Sequence, residues 1–423
     1  MLRKRLNLWL ALVVAVAMQS CIAYRFVGHG AEGIDDFKTF PTDTIHAPET
    51  AFEFAVAERS LLDTLRIRAY NHAPMTFRQM IDTLDSKHPS AGMVVVRRDT
   101  LLFEHYRGDV GADKHSTIFS ISKSITSTLV GMAIDRGFIR SVDDPVTEYL
   151  PELKRKAPEF GRLTVGHLLD MRSGLAFSEN YSPNPLSAMA RLHYGRNIMG
   201  KIRRQKFKEE PGTRFEYSSM ATAVLGAVLE RATARRYADL VSEWIWQPLG
   251  MERYALVNLD DYTHRMAKAY GGISTNPRDL ARWGRLYLKG GQIEGRQLLP
   301  EAWIHRSLSA ERAIANGGFY TNSWRAVTLG VKCDEKREFT TEELSDAMLR
   351  IHEQEGVAFD RIVATQGKNG LWTLRVVTDT YYALGVFGQV VFLDPAKELV
   401  AVFLGNDRID SYVELFYKMS RYL

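Results

Sequence analysis

The strongest constraint on the fold of this chain is where its strand-forming residues lie. Apolar, β-branched runs sit near both ends, and helical spacing fills the interval between them. Near the start, AGMVVVRRDTLLFEHYRG (91–108) places two apolar runs around Arg97-Arg98-Asp99-Thr100, the pattern of a β-hairpin. Near the end, RAVTLGV (325–331), YYALGV (381–386), QVVFLD (389–394) and ELVAVFLGN (398–406) have strand character, and SYVELFYKMSRYL (411–423) closes as a helix. Between them, SKSITSTLVGMAIDRG (122–137), LTVGHLLDM (163–171), MATAVLGAVLERATA (220–234) and TNPRDLARWGRLYLKGG (275–291) carry helical spacing, the last with a Gly-Gly stop. The economical arrangement is an α+β protein of two lobes. A mainly antiparallel sheet is built from both chain ends and flanked by helices, and a mainly helical second lobe is inserted.

Smaller segments follow from the same reading. TFRQMIDTLDSKH (76–88) predicts a helix, and AFEFAVA (51–57) alternates like an edge strand. Residues 22–50 lack a period and read as a tether or extended arm. The polar, partly helical stretch 332–368 lies between strand regions and reads as an insertion at the lobe edge.

The 423 residues are 45% hydrophobic and 25% charged, an ordinary globular balance. The net charge is +5, but three of those charges are Arg3, Lys4 and Arg5, so the remainder is close to neutral. There is no basic block and no basic-aromatic alternation, so no nucleic-acid partner is expected. MLRKR followed by the apolar Leu6 to Met18 has the form of an export signal, shorter than a membrane span. Gln19-Ser20-Cys21 then resembles a bacterial lipoprotein cleavage box. In that reading residues 1–20 are a signal peptide, Cys21 carries lipid, and residues 21–75 are a tether and N-terminal arm. The alternative is a plain secretory signal with Cys21 incidental. The other cysteine, Cys333, has no evident chemical partner, and a Cys21–Cys333 disulfide is open only if Cys21 is unlipidated.

The residues with chemical promise begin at Ser120-Ile-Ser-Lys123. A serine three residues before a lysine, at the start of a helix, shares one face of the first turn with it. A neutral amine there can take the hydroxyl proton, and the partially positive helix N-terminus favours a developing oxyanion. The bare pattern is common enough to arise by chance. Downstream lie Tyr217-Ser218-Ser219 before another apolar helix, and the glycine-bearing run LGVFGQVVFLDP (384–395), read as a strand.

Together these segments resemble the serine β-lactamase-related hydrolases: class C β-lactamases, DD-peptidases, family VIII esterases and 6-aminohexanoate-dimer hydrolases. The first motif of that family, Ser-x-x-Lys, matches Ser120 and Lys123. The second, Tyr-x-Asn or Tyr-x-Ser, matches Tyr217 and Ser219. The third, Lys-Thr-Gly or His-x-Gly, aligns with Val386-Phe387-Gly388. LTVGHLLDMRSGL (163–175), PGTRFEYSS (211–219) and GGISTNPRDLARWG (271–284) follow in family order, over residues 76–423. The resemblance implies a β-lactamase/transpeptidase-like fold and a Ser120 nucleophile. It implies proton transfer shared by Lys123 and Tyr217, whose phenol must titrate below its usual value near 10. It also implies oxyanion donors at the backbone of Ser120 and Gln389, close substrate approach at Gly388, and no cofactor. Ser219 is expected to donate to the substrate or to the Lys123 amine. Tyr181, on the loop within SGLAFSENYSPNPLSAMARLHYG (173–195), either donates to the leaving group or packs the loop.

Departures from the family pattern narrow the expected substrate. Val386 stands where penicillin-directed relatives place a cation for the substrate carboxylate. Ser219 stands where class C β-lactamases carry asparagine. Both favour a small ester or amide over a cephalosporin. The alternatives are a peptidoglycan-directed D-amino-acid peptidase or weak β-lactamase, and a non-catalytic binding lipoprotein on the same scaffold. Other conspicuous residues read structurally: His167 as a packed or capping histidine, Asp143-Asp144-Pro145 as a turn, and Arg278, Asp279 and Arg282 as a helix-surface or inter-lobe pairing. Histidines and carboxylates lack metal-ligand spacing.

Overall fold

The computed structural model describes residues 33–67, 74–87, 90–107, 111–182, 184–355, 361–366, 370–405 and 412–423. The stretch read as an export signal and Cys21 lie outside the described residues. No helix among the described residues is long and apolar enough to cross a membrane. The chain divides into two compact units. One holds the described residues up to Ala47, His115–Gln247 and Arg253–Thr275; the other holds Pro48–Lys114, Pro248–Glu252 and Asn276–Leu423.

The second unit is the sheet expected from both chain ends. Its strand order is Tyr320–Thr321, Trp324–Glu335, Trp372–Gly385, Gln389–Asp394, Leu399–Gly405, Ser90–Arg97, Thr100–His105, Ala55–Val56, with Ile362–Gln366 also pairing Trp372–Gly385. The join between chain ends is antiparallel, Leu399 opposite Arg97 through Leu404 opposite Gly92. The hairpin expected over 91–108 forms. Arg98 and Asp99 both have positive φ, 47° and 59°, which matches the two-residue turn that suits a right-twisted strand pair. AFEFAVA contributes only Ala55–Val56, at the edge and parallel to Thr100–Leu101.

Every residue of Leu399–Gly405 is buried, because helices cover both faces of the strand. Leu399, Ala401 and Phe403 pack with Phe77, Tyr412 and Phe416 in one apolar cluster. On the opposite face Gly284, in the helix Pro277–Leu288, lies against Val400, and a Cβ there would come within 2.7 Å of the valine methyl. The 332–368 stretch holds the end of a long strand, the helix Thr341–Glu355 and the strand Ile362–Gln366, which adds to the sheet.

The expected helix-surface pairing is corrected here. Arg282 is 3% exposed and binds Asp279 at 3.1 Å and Glu252 at 3.0 Å, while Arg278 forks onto Glu104 at 2.6 and 2.5 Å. All these partners lie in the second unit. Burial pushes the Asp279 carboxyl up to about 6.

The first unit is mainly helical around a small sheet, in the order Thr42–Ile45, Ala255–Asn258, Ile273–Thr275, Ser116–Thr117. The helix Ile121–Asp135 is buried from Ile121 through Ala133 despite its serines and threonines. Several of their hydroxyls are absorbed locally, though Ser127 Oγ is buried without a hydrogen-bond partner among the described residues. Thr126 Oγ1 donates to the Ser122 carbonyl and Thr128 Oγ1 to that of Ser124, while Ser122 Oγ accepts from the Ile273 N–H. His167 caps a short helix: its N–H donates to Thr164 Oγ1, and Thr164 N–H donates to its Nδ1. The turn at Asp144 is fixed by donors from Arg140 N–H, Ser141 N–H and the Tyr149 hydroxyl.

The stretch read as a tether and arm is folded where it is described. Thr42–Ile45 pairs with Ala255–Asn258, Asp36 is buried against His193 at 3.0 Å, and Leu62 and Ile67 are buried in the second unit. Alternation over so few residues is too short to register as strand periodicity, which explains the difference.

Glu230, in the helix Ser219–Thr233, accepts the Tyr237 N–H at 3.0 Å, and burial pushes its carboxyl up to about 7. The folded state therefore keeps a proton that an unfolded chain releases near 4.5. This contribution to stability is complete below pH 4.5 and is lost as pH rises through 7. Glu230→Gln keeps the acceptor and cannot ionise. It should stabilise the protein at pH 8 by about 1–3 kcal/mol and leave it nearly unchanged at pH 4. Urea unfolding at the two pH values checks this, and equal effects at both would contradict it.

Candidate active site

The strand Ser116–Thr117 leads into the helix Ile121–Asp135 through a sharp turn. Phe119 has φ 45°, a left-handed conformation costly for a non-glycine residue, and Gly271 lies against its backbone. The turn delivers Ser120 to the N-cap position, yet its side chain makes no capping hydrogen bond. A serine at a helix start usually spends its oxygen on the N2 or N3 amide. Here Lys123 Nζ donates to Ser120 Oγ at 2.8 Å.

Lys123 is only 1% exposed. Its Nζ also donates to the Tyr270 carbonyl at 2.8 Å, and the Tyr270 hydroxyl donates to the Leu192 carbonyl at 3.2 Å. The Tyr217 ring centroid lies 5.0 Å from the same nitrogen. Tyr217 is held just before the helix Ser219–Thr233, whose N-cap Ser218 accepts the Ala221 N–H. The three residues expected to carry chemistry, Ser120, Lys123 and Tyr217, therefore meet in the first unit. The lysine contacts both of the others.

Ser219 and Tyr181 are organised by Glu179, a residue that no motif in the sequence singles out. The Glu179 carboxylate accepts Ser219 N–H at 2.8 Å, Ser219 Oγ at 2.6 Å and the Tyr181 hydroxyl at 2.5 Å. The Ser219 proton thus goes to Glu179 rather than to the Lys123 amine, and the Tyr181 phenol is engaged with the same carboxylate. Glu179 sits at the N-terminus of a 15-residue helix, where a negative charge is favoured. The sequence signal is an acidic residue two positions before Tyr181 in the 173–195 loop. Loop contacts of this kind have no period to reveal them.

The third-motif residues lie in the second unit, and they form a turn rather than a strand. Trp372–Gly385 and Gln389–Asp394 are antiparallel neighbours, with Gly385 opposite Gln389. Phe387 at φ 66° and Gly388 at φ 78° reverse the chain between them. Two consecutive left-handed residues cannot continue a strand, which corrects the expectation of one uninterrupted strand over 384–395. The Gln389 side chain is buried and donates from Nε2 to the Gly405 carbonyl at 2.5 Å.

One grouping among the described residues has the makeup of a metal site: Asp260, Asp261 and His264. Its oxygens are occupied. Asp260 accepts the N–H groups of Asp261, Met266 and Ile198, and Asp261 accepts those of Asn197, Thr263 and His264. The grouping is a hydrogen-bonded turn.

The sequence pattern of the Beta-lactamase family matches residues 77–416. This chain belongs to the β-lactamase family. Within it, a 6-aminohexanoate-dimer hydrolase of Paenarthrobacter ureafaciens is 31% identical over 253 residues, covering 55% of this chain and 62% of the relative. Esterase EstB of Burkholderia gladioli is 26% identical, covering 40% of this chain and 47% of the relative. The D-alanyl-D-alanine-carboxypeptidase/endopeptidase AmpH of Escherichia coli is 27% identical, covering 40% and 48%. The matched region thus spans about half to three fifths of these relatives. Among solved structures, a Bacillus anthracis protein assigned to the 6-aminohexanoate-dimer hydrolases has TM-score 0.70 at 20% identity, covering 92% of this chain and 93% of the other. A class C β-lactamase of Rhodobacter sphaeroides has TM-score 0.52 at 17% identity, covering 82% and 98%. These likenesses establish the β-lactamase/transpeptidase-like fold and its α+β class.

Glu179→Ala should release Ser219 and Tyr181 together. The expected result is a fall in turnover of any hydrolysed ester by about tenfold or more, with Glu179→Gln, which keeps acceptor capacity, falling less. Equal activity of Glu179→Ala and wild type would dismiss the carboxylate as an organiser of this site.

Proposed function

We propose that this protein is an exported serine hydrolase that acts on small esters or amides through an acyl-enzyme on Ser120. The observation that carries the proposal is the 2.8 Å contact between Lys123 Nζ and Ser120 Oγ, with the lysine buried. When the amine is neutral, that line carries the hydroxyl proton to nitrogen as Oγ attacks the carbonyl carbon. The proton then passes to the leaving group, with the Tyr217 phenol, beside Lys123, as the second proton carrier. Water takes the acyl group in the reverse sequence and restores the Ser120 hydroxyl. The Ser120 N–H at the helix start is one oxyanion donor. A second at Gln389, with Gly388 beside it, rests on the family resemblance alone.

Esters and amides are favoured by the kinds of relative that match, an amide-dimer hydrolase and an esterase among them, and by Val386 at a position that offers no cation. The AmpH match supports a second reading, a peptidase directed at cell-wall peptides. Export to the bacterial cell envelope and lipid anchoring at Cys21 are supported by the basic start, the Leu6–Met18 apolar run and the Ser20-Cys21 junction.

A fluorophosphonate probe should label the wild-type protein, and Ser120→Ala should abolish both labelling and p-nitrophenyl butyrate turnover, the latter by about 10³-fold or more. Folded wild-type protein that resists the probe would end the serine-hydrolase reading. Nitrocefin turnover much faster than butyrate turnover would overturn the substrate preference. Cys21→Ala should shift the expressed protein from the membrane to the soluble fraction, and continued membrane retention would contradict anchoring at that residue.

A further inference from the structure

A cavity of about 400 Å³ in the first unit is lined by Phe177, Leu192 and Met220 together with Arg191, Lys201 and Arg204. No acidic side chain lines it. Other arginines of this unit have carboxylate partners: Arg203 and Arg231 share Glu152, and Arg214 pairs with Glu209. The guanidiniums of Arg191 and Arg204 make no ion pair among the described residues. Lys201 donates to the Arg196 carbonyl. Like charges gathered around one concavity repel one another and raise the local concentration of anions. The apolar floor gives nothing to an ion but suits an aliphatic chain.

Several wall residues of this cavity are linked to the proposed catalytic cluster through the chain or by hydrogen bonds. Met220 follows Ser219, and Phe177 lies two residues before Glu179. The Leu192 carbonyl accepts the Tyr270 hydroxyl, and the Tyr270 carbonyl accepts Lys123 Nζ. We propose that the cavity is a substrate subsite for a carboxylate carried on a short aliphatic chain, with Arg191 and Arg204 as its specificity-determining cations. The subsite supplies the positive charge that Val386 does not. The assignment rests on the serine-hydrolase reading for its substrate, but anion binding in the cavity does not require turnover.

The test compares two esters of matched length, mono-p-nitrophenyl adipate and p-nitrophenyl hexanoate. Wild type should favour the adipate in kcat/KM. The preference ratio should fall about tenfold in Arg191→Gln/Arg204→Gln, whereas Arg191→Lys/Arg204→Lys keeps much of it. Raising NaCl to about 0.5 M should erode the ratio as well. A ratio unchanged by the glutamine pair, or never above one, overturns the subsite. In parallel, the adipate ester is titrated calorimetrically into Ser120→Ala protein with and without the glutamine pair. Should the probe leave Ser120 unlabelled and neither ester turn over, the hydrolase reading fails and this titration decides the cavity separately. Binding weakened about tenfold by the glutamine pair upholds the subsite, and binding indifferent to it overturns it.

Discussion

The contact on which the first unit turns is a buried lysine placed against a serine hydroxyl. Lys123 Nζ lies within hydrogen-bond reach of Ser120 Oγ and the Tyr270 carbonyl, with the face of Tyr217 beside it. An ammonium removed from water is costly unless its donors are met. Around it the structure places a hydroxyl, a carbonyl dipole and an aromatic ring. That choice keeps the serine oxygen next to a nitrogen able to exchange a proton with it. A carboxylate in the place of the Tyr270 carbonyl would hold the ammonium charged and end its use as a base.

Much of the first unit serves this placement. The helix bearing Ser120 is buried on every side, so its position is set by packing around its whole circumference. The hydroxyls of Thr126 and Thr128 turn to helix carbonyls and that of Ser122 accepts from neighbouring backbone, which helps a polar sequence survive burial. The left-handed Phe119 delivers Ser120 to the N-cap position, where its side chain makes no capping hydrogen bond. Glu179 does the equivalent work on the other side. One carboxylate gathers the start of the Ser219 helix, the Ser219 hydroxyl and Tyr181 into a single hydrogen-bonded group.

Several features are legible in the amino-acid sequence because they are local or periodic. Ser120 and Lys123 meet through the geometry of one helical turn, and the hairpin around Arg98-Asp99 follows from two apolar runs and a polar turn. Leu399–Gly405 announces itself as a buried strand by an unbroken apolar run. Other features escape for equally physical reasons. Glu179 acts through a loop whose path has no period. Arg278, Asp279 and Arg282 read as a helix-surface or inter-lobe pairing because charge at helical spacing is normally solvated, and only the surrounding packing buries Asp279 and Arg282 and brings Glu252 to them. Phe387 and Gly388 read as strand residues because a left-handed φ at phenylalanine leaves no compositional trace.

The sequence alone determined the family, the α+β order of elements and the identities of the serine, lysine and tyrosine at the site, because motif spacing and hydrophobic period are properties of the chain itself. Only the tertiary structure decided which carboxylate holds Ser219, which carbonyl holds Lys123, and that three cations surround one cavity beside them. Those contacts join residues tens to well over a hundred positions apart, and they exist only once packing has fixed the loops that carry them.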